Sequence, residues 1–156
     1  VSASTIAAVA SAADLAVARD LFLEYARSLD FSLCFQGFDE ELASLPGRYA
    51  PPSGRLLLAR VDDAVAGCVA LRALDDGACE MKRLFVRPAF HRRGLGRALT
   101  VALIDEARAI GYAAMRLDTV PAMQAALSLY HSLGFVAIPA YTANPLPGAC
   151  FLELRL

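Results

Sequence analysis

The run from Glu80 through Val86, Pro88, Gly94 and Gly96 to Leu99 constrains the fold more than any other part of the chain. Up to Val86 it reads as a strand, and Pro88, which cannot donate to a ladder, ends it. From Gly94 the period becomes helical: Leu95, Leu99, Ala102, Leu103 and Ile110 fall on one side, and Gly111 closes the helix. Between strand and helix lies the short basic loop His91-Arg92-Arg93-Gly94-Leu95-Gly96. A helix start leaves backbone N–H groups unpaired where the positive end of the helix dipole points. Glycines let a ligand approach that backbone closely, and Arg92, Arg93 and Arg97 add positive charge around it. This chemistry favours a phosphate-bearing ligand.

Size and composition narrow the classes. A chain of 156 residues with 57 % hydrophobic residues reads as one domain, residues 1–156, with a real core. The formal net charge of −1 provides no global basic field, so no nucleic-acid partner is expected. No apolar run approaches the ~20 residues that span a bilayer, and no membrane partner is expected. The Ala-rich N-terminus lacks a basic n-region, and Asp14, Arg19 and Asp20 interrupt it, so it reads as structure. Cys34, Cys68, Cys79 and Cys150 form no C-x-x-C pair, which points to a reduced, cytoplasmic protein. His91 and His131 sit in no H-E-x-x-H pattern, and no metal is expected.

The remaining elements follow from periodicity. Thr5 to Ala10 reads as a strand, and Ser11 as the N-cap of a helix to about Ser28. A short helix is expected from about Asp39 to Leu45. Leu56 to Val61 and Val65 to Leu71 form a hairpin across Asp62-Asp63, and Cys79 to Val86 follows the turn Asp75-Asp76-Gly77. Ala114 to Asp118 is a strand; Thr119 is expected to cap the next helix, with Pro121 in its first turn. Phe135 to Ile138 and Ala149 to Leu156 read as a final strand pair. The order predicts an α/β (α+β) architecture, a mixed sheet with helices on its faces.

Three phosphate loops compete. A Walker A loop fails because Arg97-Ala98 follows Gly96. A dinucleotide fingerprint fits poorly, because its third glycine position is Leu99 and three strands precede the loop. The third reading covers the whole chain. The run His91 to Gly96 resembles motif A of the GNAT superfamily, the acyl-CoA-dependent N-acetyltransferases, whose signature is Arg/Gln-x-x-Gly-x-Gly/Ala. Leu129-Tyr130-His-Ser-Leu-Gly134-Phe135 is similar to a second motif of that family. The chain departs from the pattern at His91, where the family has Arg or Gln, and at Met123, where many members carry Asn. The resemblance implies a GNAT-like, mostly antiparallel sheet of about seven strands with about four helices.

It also implies roles. Acetyl-CoA would be the co-substrate, with no metal, held by Leu84, Phe85 and Val86 on a bulged strand, by the loop residues His91, Arg92, Arg93, Gly94, Leu95, Gly96 and Arg97, and by Tyr130. One backbone N–H of the bulge would hold the acetyl oxygen. Tyr130, protonated at neutral pH, is the candidate general acid for the departing sulfur. Glu80, where histone-type members place a catalytic glutamate, is the candidate general base; a solvated charge paired with Lys82 or Arg116 is the competing reading. Without a bulge, alternation puts Glu80, Lys82, Leu84 and Val86 on one face. Phe35, Gln36, Tyr49 and Asp118 are candidate acceptor-binding residues, with Phe31, Phe38 and Tyr141 as further wall residues. The expected reaction is direct acetyl transfer to the primary amine of a small molecule in a ternary complex. The alternatives are a non-catalytic acyl-CoA-binding module and a protein lysine or N-terminal acetyltransferase. A homodimer is a further expectation, through the exposed edge of the last strands.

Overall fold

The computed structural model describes residues 3–33 and 37–156. Seven strands form one sheet: β1 (Ser4–Ala8), β2 (Arg55–Val61), β3 (Ala64–Ala73), β4 (Ala78–Val86), β5 (Ala114–Thr119), β6 (Val136–Ala137) and β7 (Cys150–Arg155). Their order across the sheet is β1-β2-β3-β4-β5-β7-β6. Every neighbouring pair is antiparallel except β4 and β5. Helices α1 (Ala12–Ser28), α2 (Phe38–Ser44), α3 (Leu95–Ile110) and α4 (Gln124–Ser132) complete the fold expected from the sequence. None of the described helices is long and apolar enough to cross a membrane.

Local chemistry explains the boundaries. Ser11 caps α1 by accepting a hydrogen bond from the Asp14 N–H at 3.1 Å. Asp62 and Asp63 both adopt positive φ, the conformation a two-residue hairpin turn requires, and join β2 to β3. Gly111, at φ 108°, ends α3 with its N–H on Ala107. One boundary departs from expectation. Thr119 stays in β5, paired with Cys150, and Val120 to Met123 form a turn in which the Met123 N–H bonds the Val120 carbonyl. Pro121 therefore precedes α4 instead of opening it. The N-cap position of α4 is Met123, so Thr119 lies too far upstream to cap it.

Two cores sandwich the sheet. On one face α3 buries Leu99, Leu103 and Ile104, with Leu57, Val69, Leu71 and Met81 among the strand residues of that core. On the other, α1 buries Ala18, Leu21 and Phe22 with Leu56, Leu58, Cys68 and Ala70. Alternating strand residues supply the two cores in turn, so each strand reads as a continuous apolar run. Leu103 sits at the centre of the first core with no exposed surface. Leu103→Ala is expected to cost about 2–5 kcal/mol, read as a lower urea midpoint with an unchanged m-value.

Candidate active site

β4 and β5 pair over Ala78–Ala114, Cys79–Met115 and Glu80–Arg116 only, although each strand runs on beyond these pairs. Past Glu80 and Arg116 the strands part. The gap is a cleft of about 70 Å³ lined by Lys82, Arg83 and Leu84 from β4, Leu117 and Asp118 from β5, Tyr25 from α1, and Ala126 and Tyr130 from α4. A second, larger groove of about 520 Å³ runs along the start of α3, lined by Leu84, Val86, His91, Arg92, Gly94, Gly96 and Leu129. Leu84 and Ala126 line both, so cleft and groove meet there.

The groove has the features the glycine loop predicts. Among the described residues, none of the backbone N–H groups from Arg92 to Arg97 is paired, because the first intrahelical bond runs from Ala98 to Gly94. Gly94 has φ 74° and nothing within 4 Å of where a Cβ would stand, leaving the backbone open to a ligand. His91 contributes less than its motif position suggests. Its N–H is spent on the Pro88 carbonyl, and its Nε2 donates to the Val86 carbonyl at 2.8 Å. Arg97 donates to Ser132 at 3.0 Å, which braces α3 against the end of α4. Arg93 lies over the Phe90 ring at 5.7 Å.

β4 carries a bulge at Arg83 and Leu84, which overlaps the expected Leu84, Phe85 and Val86 only at Leu84. Cys68 faces Phe85 and Ala70 faces Lys82, so Arg83 and Leu84 together oppose Val69. Arg83 takes φ 61°, a left-handed conformation that costs a side-chain-bearing residue about 1–3 kcal/mol unless its surroundings enforce it. The bulge also corrects the alternation read from the sequence. Leu84 and Val86 pack with the α3 core, beside Cys79 and Met81, whereas Phe85 packs with the α1 core against Tyr25. Glu80 and Lys82 therefore do not share a face with Leu84 and Val86.

The charges on β4 are buried and paired. Glu80, 1 % exposed, accepts from Arg72 Nε at 2.7 Å and from the Tyr141 hydroxyl at 2.6 Å. Its partners are thus neither Lys82 nor Arg116; the Arg116 guanidinium pairs instead with Glu153 and Asp76. Lys82 Nζ lies 3.4 Å from Asp118 Oδ1, with the two side chains 6 % and 4 % exposed, and Asn144 donates to the other Asp118 oxygen. Burial pulls the Lys82 pKa below its ordinary value, against the opposing pull of Glu80 and Asp118. Arg83 grips Glu41 of α2 through two nitrogens, at 2.9 and 3.0 Å, and sits over the Phe38 ring.

Tyr130 of α4 lines the cleft beside Ala126. Among the described residues its hydroxyl has no hydrogen-bond partner, yet no fully buried side-chain polar atom lacks one, so the phenol is reached from the cleft. Burial pushes its pKa up, which keeps it protonated. Tyr49 is a core residue, 2 % exposed, whose hydroxyl donates to Glu41 at 2.8 Å. Phe35 and Gln36 lie outside the described residues. Arg72, Arg83 and Glu41 escaped the sequence reading, which named Lys82 only as a partner for Glu80. Their signal was the charged run Glu80-Met-Lys-Arg inside an otherwise apolar central strand, where charges must find buried partners.

The sequence profile of the acetyltransferase (GNAT) family matches residues 18–135. An uncharacterized N-acetyltransferase of Schizosaccharomyces pombe is 38 % identical, covering 97 % of this chain and 94 % of that protein. The N-acetylaspartate synthetase of Danio rerio is 30 % identical over 84 % of this chain and 50 % of its own length. Among solved structures, a Salmonella typhimurium protein with its cofactor acetyl-CoA superposes with a TM-score of 0.75 at 26 % identity, covering 98 % of this chain and 94 % of that one. The chain belongs to the GNAT family and is a GNAT-type N-acetyltransferase.

The raised Tyr130 pKa has a spectroscopic consequence. The phenolate absorbance difference between the wild type and Tyr130→Phe should appear only above the ordinary tyrosine value of ~10. A difference already present at neutral pH would contradict the buried, protonated phenol.

Proposed function

We propose that this protein moves the acetyl group of acetyl-CoA to the primary amine of a small molecule, by direct attack while both are bound. The observation that carries this reading is the meeting of groove and cleft at Leu84 and Ala126, with Tyr130 in the wall of the cleft. The residues fit acetyl-CoA: unpaired N–H groups from Arg92 to Arg97 suit the pyrophosphate, and Leu84, Val86 and Leu129 suit the apolar arm. When bound, acetyl-CoA supplies a thioester whose C–S bond breaks as the new C–N bond forms. Leu84 and its bulge present backbone donors to the acetyl oxygen. Tyr130 holds a proton for the sulfur, in reach of the cleft and kept in place by burial.

Asp118 and Lys82 form the polar end of the cleft, where the acceptor amine arrives. Glu80, with both oxygens already accepting hydrogen bonds, anchors Arg72 and Tyr141 beside this end, and the acceptor's proton leaves to solvent. Among the described residues no cysteine lines the cleft, which favours direct transfer over a thioester on the enzyme. The small-molecule reading is supported by the Danio rerio relative, whose name specifies an N-acetylated amino acid.

Acetyl-CoA at 100 times its Kd should stabilise the fold by about 2.7 kcal/mol, visible as a rise in Tm. NADH and ATP should give no comparable shift, and stabilisation by NADH in place of acetyl-CoA would overturn the reading. A panel of small amines and lysine peptides, followed by CoA release, then sorts the acceptor class. Activity on the peptides without activity on small amines would refute the small-molecule assignment. Tyr130→Phe should lower kcat by about tenfold or more with CoA affinity held; normal turnover would remove Tyr130 as the acid.

A further inference from the structure

The bulge in β4 is held by side chains outside the cofactor groove, and their geometry decides where one backbone N–H points. The Arg83 carbonyl lies at the bulge of β4. It accepts a hydrogen bond from the Cys68 thiol of β3 at 3.4 Å. Cys68 has no exposed surface, and burial raises its pKa, so the thiol is a proton donor. The peptide linking Arg83 to Leu84 is trans and planar, so its N–H points opposite to its carbonyl. With the carbonyl turned to the Cys68 side chain, the Leu84 N–H is turned away from that side chain. Leu84 itself lines both cleft and groove.

The other restraint acts on the side chain. Arg83 is bound at two nitrogens by Glu41, and Glu41 is fixed in turn by the Tyr49 hydroxyl, itself packed edge-on against Phe22 of α1. A two-point guanidinium–carboxylate contact defines orientation as well as distance. It holds Arg83 at φ 61°, where an unrestrained side-chain-bearing residue would relax towards regular strand backbone. The restraint reaches from α2 to the bulge, and neither Glu41 nor Cys68 lines the cleft or the groove.

We propose that Glu41, Arg83 and Cys68 are positioning residues for acetyl transfer: together they clamp the Arg83–Leu84 peptide so that the Leu84 N–H faces the acetyl oxygen. The inference rests on the acetyl-CoA reading above. It differs from a purely structural role in one respect. The clamp acts on a donor that matters for the acetyl group, and not on the groove that holds the rest of the cofactor.

The test compares Cys68→Ala, which removes the donor, with Cys68→Ser, which keeps one, and adds Glu41→Gln and Arg83→Gly. Each is measured for kcat per folded molecule, for the Kd of CoA and acetyl-CoA, and for Tm. Removing a full oxyanion donor costs about 10²–10³ in kcat, so a misaimed one should cost about tenfold. Cys68→Ala, Glu41→Gln and Arg83→Gly are expected to show that loss, with CoA affinity unchanged and the preference for acetyl-CoA over CoA reduced. Cys68→Ser should restore kcat to within about twofold of wild type. Cys68→Ala combined with Glu41→Gln should lose little more than either alone, because both act on one peptide. If kcat stays at the wild-type level while Tm falls, the clamp is structural only and the inference fails. If Cys68→Ala does not fold, Glu41→Gln decides on the same terms. A wild-type protein that binds no acetyl-CoA overturns the parent reading as well, an outcome distinct from active variants.

Discussion

β4 and β5 run parallel but share hydrogen bonds over only three residue pairs before they separate. Parallel strands need a long crossover, here the glycine loop and α3, and that crossover covers one face of the sheet beside the gap. Beyond these pairs the facing edges of the two strands no longer pair with each other, although β4 stays paired to β3 and β5 to β7. A sheet that stayed paired to its ends would bury Lys82 and Asp118 with no path to a substrate. The parting makes their buried pair the wall of a cleft, with α4 supplying Tyr130 from above.

That opening places charge in a low-dielectric setting, and the fold answers by pairing it. Arg72 with Glu80, Lys82 with Asp118, and Arg83 with Glu41 are all largely buried. Such pairs give little net stability, because desolvation offsets most of their attraction, but losing one partner strands a buried charge. Their value here is orientational. Each ties β4 to a different neighbour: β3 through Arg72, β5 through Asp118, and α2 through Glu41. The strand that carries the bulge is thereby fixed from three sides while its hydrogen bonding to β5 is given up.

The groove and the cleft are built by different physics. The groove is backbone chemistry: a helix start, a glycine at φ 74° and a run of unpaired N–H groups. At His91, where the chain departs from the family pattern, the N–H bonds the Pro88 carbonyl and Nε2 bonds the Val86 carbonyl. The cleft is side-chain chemistry, made of residues brought together from β4, β5, α1 and α4. Substitutions in the family pattern therefore weigh differently in the two places. Met123, where many members of the family carry Asn, lines the cleft and receives the Thr119 hydroxyl on its sulfur at 3.6 Å.

Local rules in the sequence determined the elements, because caps, turns and periodicity act over a few residues. Ser11, Asp62-Asp63, Gly94 and Gly111 each mark a boundary that holds in the fold. The loop reading and the family resemblance belong to the same level, since both depend on contiguous residues. Tertiary structure decided what alternation and spacing cannot encode. The bulge at Arg83 reversed the faces of Leu84 and Val86, because one extra residue shifts a period of two. The ladder to β7 kept Thr119 in the sheet and delayed α4. Glu80 found Arg72 and Tyr141, residues eight and sixty-one positions away, and Arg83 found Glu41 at a separation of forty-two. Those partnerships depend on strand order and on the way helices cover the sheet, which is long-range information that no local pattern carries.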